Sequence, residues 1–245
     1  MQSIATPFVL ALFCVASCHT EPEPTLVVVE TPAAVPVEQS VKPGINDNFK
    51  NPELKVEEWV ERFEGESREI FAARAEIVAA MGIEAKQRVA DVGAGTGPFI
   101  GLFAEAVGRE GKVFAIDIAQ SFVDHLAKRA EDEGHPQIEA RLCSETSVEL
   151  PENSIDLAFI CDVYHHFEYP RSSMASIHSA LSEGGEVVIV DFYRIPGVTR
   201  EWLMDHVRAG KDEVFAELDD FGFDLVEELE IPGLEENWVA RFRKR

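Results

Sequence analysis

Two short stretches of this chain carry side chains and spacings suited to chemistry. The first is Arg88-Val-Ala-Asp-Val-Gly-Ala-Gly-Thr-Gly97, in which Asp91, Gly93, Gly95 and Gly97 fall at every second position. Val89, Ala90 and Val92 read as a short buried strand. Glycines after such a strand let the chain turn sharply while its backbone closes on a ligand that side chains would exclude. Pro98 suits the first turn of a following helix, where its missing N–H would have no partner. Phe99, Ile100, Leu102, Phe103 and Ala106 carry that helix to Gly108. Strand, glycine turn and helix N-terminus together form a cradle for a nucleotide-type ligand. The second stretch is Asp162-Val-Tyr-His-His-Phe167, where Tyr164, His165 and His166 are candidates for acid or base work, an unperturbed imidazole titrating near pH ~6.5.

Spacing separates two kinds of nucleotide site. A dinucleotide turn wants Gly-x-Gly-x-x-Gly, but here Pro98 stands at the last position and Gly97 comes one place early, which disfavours an NAD-dependent oxidoreductase. The form Asp-x-Gly-x-Gly-x-Gly resembles the first motif of the class I S-adenosylmethionine-dependent methyltransferases. The resemblance covers roughly residues 55–245 and implies S-adenosylmethionine as cofactor, with Asp91, Gly93, Ala94, Gly95 and Gly97 around it. It also implies that Asp117, ending the apolar strand before Ile118, accepts the two ribose hydroxyls. A carboxylate about 25 residues past the turn is what a nucleotide fold of this winding needs. Ser144 and Glu145 stand where family members meet the adenine, without an unambiguous match, and Asp162 closes the cofactor set. Within the class the chain is most similar to small-molecule enzymes of the quinone and arsenite type, though it lacks an arsenite enzyme's cysteines.

The implied reaction is methyl transfer to a small-molecule acceptor that the sequence does not identify. A base is needed only where that acceptor must lose a proton. A non-catalytic lipoprotein that binds S-adenosylmethionine or another nucleoside is the alternative from a different class. Adjacent histidines do not have metal-ligand spacing, and no metal is expected.

The elements that must position these residues follow from periodicity. Glu57 to Gly82 is helical, with Ile70, Ala73, Ile77 and Met81 on one stripe and a break at Gly65 that sets Trp59, Val60 and Phe63 apart. Strands are expected at 88–92, 112–118, 138–143, 153–162, 186–192, 223–231 and 237–243, with helices at 121–131, 172–181, from 199, and up to 222. The fold class is α/β: a doubly wound seven-stranded sheet, mostly parallel, closed by an antiparallel hairpin at Pro232-Gly233. The resemblance implies strand order 3-2-1-4-5-7-6. That order keeps Cys143 and Cys161 two strands apart, beyond the reach of a disulfide.

The chain opens with an apolar run, Pro7 to Ala16, too short for the ~20 residues of a membrane span and similar to the core of a signal peptide. Val15-Ala16-Ser17-Cys18 resembles the bacterial lipobox, which implies a lipid on Cys18, although no Lys or Arg precedes the run. Seven of the 13 prolines fall before residue 53. The expected organisation is therefore a signal peptide at 1–17, an unstructured Pro/Glu-rich tether at 18–50, and one domain at 51–245, anchored in a bacterial cell envelope, or cytoplasmic if the leader is no signal. A net charge of −23 and a pI near 4.6 argue against nucleic acid as a partner.

Overall fold

The computed structural model describes residues 37–65 and 68–245. The expected leader at 1–17, Cys18 and residues 19–36 of the expected tether lie outside the described residues. Among those residues the chain forms α1 (Val56–Phe63), α2 (Glu69–Ala72), α3 (Arg74–Met81), β1 (Arg88–Val92), α4 (Ile100–Val107), β2 (Lys112–Asp117), α5 (Gln120–Asp132), β3 (Ile138–Leu142), β4 (Ile155–Cys161), α6 (Pro170–Ala180), β5 (Leu181–Phe192), α7 (Glu201–His206), α8 (Lys211–Asp220), β6 (Phe223–Glu228) and β7 (Asn237–Lys244).

The seven strands form one sheet in the order β3-β2-β1-β4-β5-β7-β6, as expected. β1 to β5 are parallel, and β7 runs antiparallel to both β5 and β6. Successive residues of the central strands go to opposite faces. Val89, Val113, Leu157, Phe159 and Val188 pack with α3, α4 and α5 on one side. Ala90, Ile116, Ala158, Ile160 and Ile189 pack with α6 and α8 on the other. Burial on both faces explains the near-continuous apolar runs of these strands. Among the described residues Cys143, after β3, and Cys161, ending β4, are both free thiols.

Local departures from the expected elements have identifiable causes. The helical stretch before β1 is three short pieces, and Gly82 ends the last in the left-handed conformation, φ +60°. Pro98 lies in a turn just ahead of α4, which starts at Ile100. The last two strands are joined by a longer excursion, residues 229–236, because Ile231 turns back into the core.

The described fold begins before residue 51, the expected start of the domain. From Val37 onward the chain is docked on the domain, so residues 37–50 form a strap. Glu38 accepts hydrogen bonds from the backbone N–H groups of Arg171 and Ser172 in the first turn of α6, an N-terminal cap supplied from a distant segment. Glu168 accepts from Ser40 Oγ and the Gly44 N–H, and its own carbonyl accepts from the Val41 N–H. These are single polar contacts without period, so proline content alone gave the wrong boundary.

Candidate functional site

β1 and β4 are neighbours at the point where the sheet reverses its winding, the place where open α/β sheets leave a crevice beyond their strand ends. The glycine turn leaves β1 there. The N–H groups of Gly93 and Ala94 both donate to the Ile116 carbonyl of β2, at 2.8 and 2.9 Å. Gly93 has φ +76°, and a Cβ at this position would stand 2.6 Å from both methyls of Val163, just past β4. Only glycine allows that approach. Gly97 serves a different purpose: its missing Cβ makes room for Leu126 of α5 and Ile100 of α4, behind the turn.

A cavity of about 590 Å³ opens over these strand ends. Asp91, Gly93, Ala94, Gly95, Asp117, Ile118, Ser144, Glu145, Asp162, His165 and His166 all border it, which brings most of the sequence-selected residues together. Gly97 and Tyr164 are not on its wall.

Asp117 is buried at the end of β2. One carboxylate oxygen accepts from the Gly95 N–H and the other from the Ala119 N–H, both at 2.9 Å. Burial pushes its pKa up to about 6 despite those hydrogen bonds. Asp91 is pushed up to about 8, first by burial and then by the neighbouring Asp117, and its Oδ2 has no hydrogen-bond partner. Asp162 sits at φ +55°, and burial lifts it to about 6 although Arg68 bonds to it and holds it down. Asn237 donates to the other oxygen of Asp162 at 3.1 Å. Several buried carboxylates whose charge is disfavoured make this end of the cavity receptive to a cationic ligand.

The other end is built around imidazoles. His165 Nδ1 lies 2.8 Å from Asp191 Oδ1 at the end of β5. Burial opposes charge on His165, but the Asp191 carboxylate outweighs it and holds the pKa above the usual value. His166 Nδ1 lies 3.2 Å from Asn46 Oδ1 of the strap, and burial together with the adjacent histidines drives its pKa down to about 2. His206, at the end of α7, joins them with ring centroids 5.1 Å from both. A third imidazole thus stands beside the histidine pair. Forty residues of chain separate His206 from them, and no local spacing could show it.

The expectation for Tyr164 is corrected. Its hydroxyl donates to Glu217 of α8 at 2.7 Å, and its ring is wholly buried beneath the sheet. Burial, then the Glu217 charge, raises its pKa, so it is a packing residue and not a candidate acid or base. Phe49 of the strap, Trp59 and Phe63 of α1 and Phe122 of α5 form an aromatic wall, with Phe49 and Trp59 centroids 4.9 Å apart. The strap residues Asn46 and Phe49 had no sequence signal.

Residues 90–189 match the family model described as a methyltransferase domain. A structure described as a SAM-dependent methyltransferase from Aquifex aeolicus superimposes with a TM-score of 0.69 at 20% identity, covering 79% of this chain and 100% of that one. The fold is that of the methyltransferases. The ubiquinone/menaquinone biosynthesis C-methyltransferase UbiE of Burkholderia mallei is 27% identical over 110 residues, 44% of this chain and 44% of that protein. An uncharacterized 37.1 kDa transposon protein of Streptomyces fradiae is 32% identical over 99 residues, 40% of this chain and 28% of its own. The matched segment thus spans less than half of either relative. Domain match and fold together imply S-adenosylmethionine as the cofactor. The residues present fit it: an unpartnered carboxylate oxygen on Asp91, a backbone turn with no Cβ at Gly93, and an excess of buried carboxylates for a ligand that carries positive charge.

Proposed function

We propose that this chain is a methyltransferase that uses S-adenosylmethionine to methylate a small molecule. The observation that supports the reading best is the single cavity with two chemically distinct ends, acidic at the glycine turn and imidazole-lined past β4. When bound, the cofactor supplies a methyl group already activated on a sulfonium, so the protein's task is chiefly alignment, which contributes up to ~7–11 kcal/mol in well-oriented cases.

Each side chain then has a defined task. Asp117 accepts the ribose hydroxyls while its two backbone hydrogen bonds keep it in place. Gly93, Ala94 and Gly95 present backbone, and Asp91 offers its free oxygen to positive charge. Ile118, Ser144 and Glu145 border the adenine end, and Asp162 stands between the two ends. His165, fixed by Asp191 through Nδ1, keeps Nε2 for an acceptor's proton. His166 is too weak a base for that role and orients the acceptor instead. The part of the aromatic wall beside the histidines, Phe49 against His166, favours an acceptor with a flat, apolar face.

The leader belongs to the same proposal. Val15-Ala16-Ser17-Cys18 supports lipidation at Cys18 and a place in the cell envelope. Among the described residues no helix is long and apolar enough to cross a membrane. The proposal is tested by calorimetric titration of the full chain with S-adenosylhomocysteine and with NAD. One site for the first and none for the second is expected, and the reverse would return the chain to the dehydrogenase reading.

A further inference from the structure

His165, His166 and His206 offer one ring nitrogen each, and these atoms all lie within 4.8 Å of one another. Three atoms at that separation share a central point at most about 2.8 Å from each, against ~2.0–2.1 Å for a zinc–imidazole bond. Inward movement of less than ~1 Å per ring would close the difference.

The surroundings resemble a ligand shell more than a packing cluster. Nδ1 of His165 is held by Asp191 and Nδ1 of His166 by Asn46, which fixes both rings and leaves both Nε2 atoms unassigned. A carboxylate or carbonyl behind a coordinating imidazole is the usual support for a metal-bound histidine. Among the described residues no hydrogen bond joins any two of the three rings, so their convergence is not explained by bonds to each other. Phe49, Phe192 and Trp202 stand around them with ring centroids 5.4, 6.0 and 6.2 Å away. Lys42, the nearby ammonium, is engaged by the backbone carbonyls of Asp205 and His206.

We propose that these three histidines bind one divalent transition-metal ion, with its remaining position open to the cavity. Three neutral nitrogen ligands suit zinc, cobalt, nickel or copper, and not magnesium or calcium, which prefer oxygen. All three rings border the cavity that holds Asp117 and the glycine turn, so a ligand at the open position faces the cofactor end. An acceptor with a hydroxyl or thiol could bind there through oxygen or sulfur and lose its proton to water. With the ion in place, Nε2 of His165 is occupied and the metal takes over ionisation of the acceptor. Metal binding itself does not depend on methyl transfer.

The test uses the full chain, prepared without a histidine tag and stripped with a chelator, then titrated with cobalt(II) chloride. Visible absorption and calorimetry are followed together. One cobalt per chain with visible ligand-field bands, shifted by azide at the open position, is expected. His206→Ala should weaken binding at least a hundredfold while keeping the far-ultraviolet circular dichroism of the wild type. Asp191→Asn, which leaves all three ligands, should weaken it ten- to a hundredfold. His135→Ala, in the connection between α5 and β3 and off the cavity wall, should change nothing. No one-to-one binding, binding that survives His206→Ala, or an equal loss in His135→Ala would overturn the site.

Discussion

Replacing Asp117 with alanine isolates the cofactor end of the cavity. An ionised carboxylate has about four acceptor positions, and two are taken by the N–H groups of Gly95 and Ala119, which leaves two for ribose hydroxyls. Each charge-assisted hydrogen bond contributes about 1.5–3 kcal/mol, so the variant should bind S-adenosylhomocysteine at least tenfold more weakly, and about a hundredfold where both hydroxyls are engaged. The pH dependence has a definite sign. Asp117 has a pKa of about 6 in the fold against an ordinary 3.8, so burying its charge costs about 3 kcal/mol at neutral pH, a cost that grows as pH rises from 3.8 to 6. Alanine removes that cost along with two hydrogen bonds, so the ligand-free variant should be close to wild type in stability. Hydroxyl donors prefer the ionised form, so wild-type affinity should fall below pH ~6 by up to tenfold per unit, and the variant should lose that component. Calorimetry between pH 5 and 8 reads both effects. Unchanged affinity, or an identical pH profile in the variant, would remove Asp117 from the site.

Gly93→Ala should destabilise the protein by ~1–3 kcal/mol in thermal denaturation and lose S-adenosylhomocysteine binding, because φ +76° and the Val163 methyls both oppose a side chain. Adding Val163→Ala should restore only part of the stability, since the backbone strain stays. Tyr164→Phe should cost ~1 kcal/mol of stability and leave any methyl transfer within about twofold, because Glu217 keeps two hydrogen bonds from Arg208 at 2.8 Å. A large loss of turnover would put Tyr164 back among the catalytic candidates. Cys18→Ser should block lipidation, so that the protein leaves the detergent phase or keeps its leader; native protein that retains Met1 would contradict the lipoprotein reading.

The sheet was legible because its signals are local. A buried parallel strand writes itself as an apolar run, and Asp-x-Gly-x-Gly-x-Gly ties one such run to a turn. Asp117, Asp162 and His165 could be placed on the crevice because strand ends in this architecture converge there. What stayed hidden depends on distant contacts or on direction within a tight turn. Tyr164, His165 and His166 form one turn of 3₁₀-helix, whose roughly three residues per turn send consecutive side chains in different directions. Tyr164 therefore points into the core while both histidines reach the cavity. His206 arrives from α7, and Asn46 from the strap, each through long-range packing that leaves no spacing to read. Asp191 was visible as the acid of an apolar strand, but its pairing with His165 spans two adjacent strand ends.

The central claim is tested most directly by a single-turnover experiment. Full chain in excess over methyl-labelled S-adenosylmethionine is mixed with small-molecule fractions of a bacterial extract, and the label is followed by chromatography. The account predicts that label passes into a small-molecule fraction in step with S-adenosylhomocysteine formation, and that Asp117→Ala slows this at least tenfold when donor is limiting. Donor that binds tightly but keeps its methyl group with every fraction would contradict it and favour a non-catalytic binding protein.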